Sequence, residues 1–532
     1  MSAPVPISGP IGAPSQGQQA WPAAPAPVSY VNSNNNYQAP MLPGAAANPT
    51  PGTIVVHFNG KVQVDAWGLW TSLDNHLVTA TTAGAVGIGN ATVAPAGSPG
   101  GPAIAAGAMT PTATALGNNG IGDVKLQPQS ISSFGRIYAG GDGMATNGLR
   151  YGAGIEIRQN FTGQISGSGS SGASGYSSLE TLYVRRAFTY VAGENWGILR
   201  AGQADGLIGI FDNGVTTFQF LPTGNLNGGD LTTGPQNAPP TFVFMGQAGN
   251  EYDNAKLVYL SPQIAGFDFG LQYAPNTSNG FGLGGSNNSL NGSITGAGTG
   301  TGLGCTIANT GCPSLSAGPG IQDGSRALNQ TAVGVRYQGA FGGLGVLAYG
   351  VYMISQAADY TGLKTPAVLG TTTTPGSKFN GTYNGLGIGS GGVALTYAGF
   401  TAGGNVIGGK MNGQMGLQPS GGAPLLGVLA GVKYVYGPFT AGIVGEEYWE
   451  QGTVQLSGLS QRRARGIDAG ISYAVAPGYV VYGEYLWNDQ TQTGNNFLTG
   501  AVGTGAAGVA NGANFNNNIR AQGFLIGNVV NF

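Results

Sequence analysis

The chain has 532 residues, 100 of them glycine, and only 8 % are charged, against the roughly 25 % that covers a water-facing surface. A formal net charge of −2 excludes the basic footprint of a nucleic-acid binder, so no nucleic acid is expected as a partner. No run approaches the roughly 18 apolar residues of a transmembrane helix, which leaves a closed β-barrel as the way such a chain can cross lipid with its backbone satisfied.

Residues 1–52 are rich in Pro, Ala, Gly, Asn and Ser and show no strand alternation. They read as a flexible, polyproline-like extension, with a periplasmic tether or cell-wall contact as its alternative role. The first thirty residues contain neither a basic n-region nor an apolar h-region, so no signal peptide is visible. The expectation is that it was removed before the numbering begins.

Residues 53–532 carry a rhythm of short alternating runs bounded by Gly, Asn and Pro, the signature of strands. Sixteen are predicted, over 60–72, 132–142, 149–161, 179–192, 196–203, 255–262, 267–274, 329–338, 344–354, 385–398, 400–409, 425–436, 438–450, 462–475, 478–488 and 519–532. The connections alternate long and short, as the external loops and periplasmic turns of an antiparallel outer-membrane barrel do. This predicts an all-β transmembrane barrel of eight hairpins with both chain ends on the periplasmic side.

A two-residue period also assigns faces, because a slip of one residue would turn every apolar side chain inward. Val333, Val335 and Tyr337 are expected to face lipid with Arg336 inward; Val432, Tyr434 and Tyr436 outward with Lys433 inward; and Ile467, Ile471, Tyr473 and Val475 outward with Asp468 and Ser472 inward. Glu156 and Arg158 are lumenal by alternation with Tyr151, Ile155 and Ile157. Arg185 is lumenal if Leu182, Val184, Phe188 and Tyr190 face out, while Arg136 and Arg200 are candidates of open facing. The phrases GVRY (334–337), GVKY (431–434) and GISY (470–473) place a Tyr shortly before a short turn, as an aromatic belt at headgroup level requires; GLQY (270–273) is a fourth copy.

The long connection 204–254 stands apart. It holds five acids (Asp205, Asp212, Asp230, Glu251 and Asp253) and no Lys or Arg. Structureless loops of this length are normally functional or disordered. Folded into the barrel, its acids would face the arginines of the wall and set a transverse field across a narrow aqueous path, a device that favours small polar solutes. Solvated loop acids and structurally paired arginines are the plain alternative.

Cys305 and Cys312 flank six residues in a Gly/Asn/Thr-rich segment. A disulfide closing a small loop is the preferred reading, against two free thiols. A metal site is less favoured, since the only histidines, His57 and His76, are far away in sequence. Catalysis has little support: no nucleophile motif accompanies the histidines, and no cofactor is expected. Arg463 and Arg465 share the outward parity of Ile467 at the outer end of their strand, where they could pair with lipopolysaccharide phosphates or form a solvated rim.

The stretch LVYLSPQIAGFDFGLQYAPN (257–276) resembles the sixth and seventh strands of the Gram-negative general porins, and LYVRRAFTYVAGENWGILRAGQADG (182–206) their fourth and fifth. The likeness covers roughly 54–532, departing at Gln203, where many members carry a basic residue. It implies an outer-membrane homotrimer passing small hydrophilic solutes and ions by passive diffusion, with 204–254 as the inward-folded third loop. It further implies that Phe532 is read by the barrel-assembly machinery. A structural or adhesive barrel with a closed lumen is the alternative, as is a sugar-specific channel lined by aromatics such as the inward Tyr482. Five loop acids against four inward bases (Arg158, Arg185, Arg336 and Lys433) lead us to expect a weak preference for cations.

Overall fold

In a computed structural model the strand rhythm becomes a single closed sheet. Residues 50–72, 129–160, 181–193, 195–215, 255–276, 327–357, 383–412, 417–418, 420–452, 461–494 and 517–532 are described. The strands are β1 (Thr53–Thr71), β2 (Gln129–Met144), β3 (Arg150–Asn160), β4 (Thr181–Gly193), β5 (Gly197–Gln203), β6 (Ala255–Leu260), β7 (Phe267–Asn276) and β8 (Ala327–Phe341). The circuit continues through β9 (Leu344–Ala357), β10 (Gly387–Tyr397), β11 (Phe400–Lys410), β12 (Leu425–Tyr436), β13 (Phe439–Glu450), β14 (Arg462–Ala476), β15 (Tyr479–Thr491) and β16 (Asn518–Asn531). Each strand pairs antiparallel with its chain neighbours, and β1 closes the barrel against β16. All sixteen predicted segments are strands.

Closure is made by the chain end. Phe532 and Gly60 exchange two backbone hydrogen bonds of 2.9 and 3.0 Å. The first strand begins at Thr53 rather than at 60, and its leading residues pair with β2 alone, from Thr53 opposite Met144 to Asn59 opposite Tyr138.

The short turns follow from the residues in them. Gly342 and Gly343 join β8 to β9 with φ of 55° and 91°, the two left-handed positions of the turn whose twist matches the strands it joins. The turn before β11 places Ala398 (φ 48°) and Gly399 (φ 85°) the same way, so only half of it is conformationally free.

Alternation sorts the faces as expected along most strands. Val333, Val335, Val432, Tyr434, Ile467 and Ile471 are exposed on the outside, while Arg336, Lys433, Asp468 and Ser472 are buried on the inside. Rings cluster beside the short turns: Phe267 on Tyr337 at 4.7 Å, Phe400 on Tyr434 at 4.2 Å and Phe439 on Tyr473 at 4.8 Å between centroids. Those three Tyr are the ones at the belt position. Tyr273 sits at the other end of β7, hydrogen bonded to Asn329 at 2.9 Å.

One expectation fails, in β4. Phe188 and Tyr190 turn into the barrel, while Leu182 and Val184 face out. The cause is a bulge: Glu156 opposes Arg186 and Ile157 opposes Val184, leaving Arg185 as the extra residue. A period of two, counted across it, slips by one. Arg186 is therefore the inward arginine of this strand.

Candidate functional site

After β5 the chain turns inward. Residues 204–215 lie on the inner wall and carry a short helix, α1 (Leu207–Phe211), all five of whose residues are buried. Its sequence, LIGIF, is apolar on every side, so it needs an apolar seat. Glycines at inward positions of the wall supply that seat. A Cβ added at Gly334 would stand 3.0 Å from the Phe211 ring and one at Gly403 would stand 2.7 Å from Val215, while the side chains of Leu207 and Phe211 cover Gly270.

The wall also ties down the helix ends. Gly206 at the N-cap has no side chain to satisfy the first turn; instead the Leu207 N–H donates to Gln272 Oε1 at 2.7 Å. At the other end Arg336 donates to the Ile210 carbonyl at 3.4 Å, and its guanidinium lies 4.9 Å from the Phe211 ring centre. Arg336 is itself held by both oxygens of Asp268, at 2.6 and 3.1 Å. Farther on, Asn405 donates to Asp212 at 3.3 Å.

A charged network fastens the base of the loop. Arg186 forms ion pairs of 2.6 Å with Glu156 and with Asp205, and Arg136 approaches Glu156 at 3.8 Å. Arg200 donates to the Asp205 carbonyl, and Lys256 to the Ala204 carbonyl at 2.6 Å. Paired in this way, opposite charges can lie buried against the wall where single charges could not.

The structure thus brings together Asp205, Asp212, Arg136, Glu156, Arg200 and Arg336 around the seat of the loop, and turns Lys433 inward on β12. Asp230, Glu251, Asp253, Cys305 and Cys312 lie outside the described residues, as do the side chains of Arg158 and Arg185. Sequence reasoning missed Arg186, whose partners were both singled out, and Lys256, Asp268 and Gln272, which strand parity alone could have found. It also passed over LIGIF, which an acid-centred view of the loop concealed.

Across the barrel, β13–β15 present Glu446, Asp468, Glu484 and Asn488 on the inner face, and Tyr482 lies inward with its hydroxyl 2.5 Å from Asp65. Among the described residues no group of three or more His, Cys, Asp or Glu is arranged to hold a metal ion. At the outer rim, Arg463 and Arg465 point outward. Arg463 pairs with Glu447 and lies 6.0 Å from the Trp449 ring; Arg465 is 3.6 Å from Asp489 and 5.5 Å from the Trp487 ring. Arg520, on the neighbouring strand, reaches Asp489 at 2.8 Å.

Similar solved structures include the anion-selective porin from Comamonas acidovorans (13 % identity, TM-score 0.45, covering 90 % of this chain and 100 % of that one). Another is the trimer form of OmpT, an outer membrane protein of Vibrio cholerae (13 % identity, TM-score 0.41, 90 % and 100 % covered). A substituted Rh. blastica porin aligns at 11 % identity and TM-score 0.37, with 90 % and 100 % covered. No curated protein sequence matches. The family model described as Gram-negative porin matches residues 80–522, most of the barrel. The chain therefore belongs to the Gram-negative porin family, whose place is the outer membrane.

Proposed function

We propose that the protein is a diffusion channel for small hydrophilic solutes and ions, and that the connection 204–254 forms its constriction. The observation that carries this reading is the seating of residues 204–215 on the inner wall, with Asp205 and Arg186 paired at 2.6 Å beside the path. An inward loop narrows a barrel without closing it, and charges fixed at the narrowing admit polar solutes more readily than apolar ones. The assembly is a homotrimer, as in the trimer form of the Vibrio cholerae protein. The test is single-channel conductance of the full chain in a planar lipid bilayer. Stepwise currents closing in three levels support an open trimeric channel. A folded barrel that gives no steps points to the closed-lumen structural role instead.

The outer rim completes the proposal. Arg463, Arg465 and Arg520 stand on the lipid side at the loop end of β14 and β16, over a floor of Trp449 and Trp487. Guanidinium groups suit phosphate, and indole rings suit the level where acyl chains meet headgroups. Lipopolysaccharide phosphates are the expected partner. Replacing the three arginines by Gln lowers the amount of lipopolysaccharide that co-purifies with the folded barrel; the buried Asp489 would lose both of its arginines, so Asp489→Asn is combined with them to keep the barrel stable. Unchanged lipopolysaccharide content would count against the assignment.

A further inference from the structure

The inner face of β13–β15 differs from the rest of the described wall. Near the loop three carboxylates have an arginine at hand: Arg186 for Glu156 and Asp205, Arg336 for Asp268. On β13–β15, both oxygens of Glu446 and both oxygens of Asp468 lack a hydrogen-bond partner among the described residues, although Glu446 is only 6 % exposed and Asp468 0 %. The neutral side chain beside them is in the same condition. Asn488 is 0 % exposed, and neither its amide nitrogen nor its oxygen is bonded.

Strand register places the three around one spot. Glu446 opposes Gly466, and Gly466 opposes Asn488, so the acid and the amide stand on either side of a residue with no side chain. Two interstrand spacings put their Cα atoms about 10 Å apart. Asp468 is the next inward residue along β14 from Gly466. Leu429 opposes Glu446, while Val444 and Leu486 oppose Asp468, and Tyr448 and Glu484 are the next inward residues along β13 and β15. All five are buried.

Buried acceptors without donors are costly, and two carboxylates together are costlier unless a cation lies between them. A divalent metal demands more hard ligands than two carboxylates in fixed geometry, and no group of three or more acids and histidines is arranged for one among the described residues. A primary ammonium fits better. It carries three donors for three acceptor groups (Glu446, Asp468 and the Asn488 oxygen), and an alkyl body attached to it would lie against Leu429, Val444 and Leu486. We infer that Glu446, Asp468 and Asn488 form a subsite on the channel wall for the ammonium group of a small organic amine with an apolar body. The inference rests on the channel reading above and names a solute class for it.

The experiment uses n-butylammonium chloride as probe, added to one side of a bilayer holding the full-length protein in KCl. Butyltrimethylammonium, with the same charge and no N–H, is the comparison. Butylammonium reduces the current saturably and butyltrimethylammonium does so more weakly. In Glu446→Gln/Asp468→Asn the apparent affinity for butylammonium falls by roughly tenfold, the size expected for loss of charge-assisted bonds. Asn488→Ala lowers it less. Asp142→Asn, which removes a lumenal carboxylate from β2, leaves it unchanged. Neutralising two buried like charges removes an unfavourable term, so the double variant is expected to insert. A conducting wild-type channel without saturable block overturns the inference, as does equal block by the two amines or equal affinity in the double variant. Calorimetric titration of butylammonium into the detergent-solubilised protein decides the matter if no KCl steps are seen. Heat that saturates in the wild type and is lost in the double variant supports the subsite although the channel reading fails; no saturable heat overturns the subsite.

Discussion

Arg186 ties the loop to the barrel at a single side chain. It lies between Glu156 and Asp205 with both ion pairs at 2.6 Å and almost no exposure to solvent. Removing it leaves two buried carboxylates without their common cation. Arg186→Met should therefore destabilise the barrel by about 3–5 kcal/mol, the usual cost of breaking a buried pair from one side. Equilibrium unfolding in urea measures this, and Glu156→Gln/Arg186→Met should recover part of the loss because one of the stranded charges is gone. A loss of only about 0–1 kcal/mol in Arg186→Met, the range of exposed pairs, would show that water reaches the network. Arg186 was hidden from the sequence by one backbone irregularity: the bulge at Arg185 reverses parity along β4, and nothing in LYVRRAFTY marks where the extra residue sits. By contrast Glu156, Arg336 and Lys433 were legible, since their strands run without interruption around them.

At the scale of the element, the strands were legible and the loop was only half so. Strands repeat every two residues, so a local pattern carries most of their description, with the bulged β4 as the exception. A five-residue helix has no such pattern. LIGIF could pass for one more strand fragment, and it is helical here because Gln272 and Arg336, sixty or more residues away, satisfy its two ends. Its seat is likewise written elsewhere, in the glycines of β7, β8 and β11. This makes the seat testable from the wall side. In Gly334→Val the new side chain meets the Phe211 ring, already 3.0 Å from where a Cβ would stand, and Val351 at the same distance on the other side. Overpacking of this kind costs about 1–3 kcal/mol, and the helix is the more movable partner because β8 is fixed by two neighbouring strands. The helix should shift, and a cysteine at Ile208, buried in the native barrel, should become reactive to a water-soluble maleimide. Unchanged protection of Ile208→Cys in the Gly334→Val background would mean that the wall yields instead.

At the scale of the whole molecule the charges are unevenly divided, and the division predicts a direction of ion preference. On the side of β2–β8 Glu156, Asp205 and Asp268 are neutralised by arginines within a few ångström, so their fields largely cancel at the distance of a passing ion. On the side of β13–β15 Glu446 and Asp468 have no such partner among the described residues, so a passing cation is itself the charge that favours their ionised forms. Net charge gives no hint of this, since −2 over the chain is close to neutrality. The sequence-based expectation of cation preference placed its source in the loop acids; the structure supplies a second source in the wall. The two can be separated. In a KCl gradient the wild type should give a reversal potential of the cation-selective sign. Glu446→Gln/Asp468→Asn should move it toward zero, whereas Asp205→Asn should move it less, because the Arg186 left behind still has Glu156 to answer it. An anion-selective potential in the wild type would place the dominant charge with the arginines of β2–β8, and a larger shift from Asp205→Asn than from the double variant would return the control of selectivity to the loop.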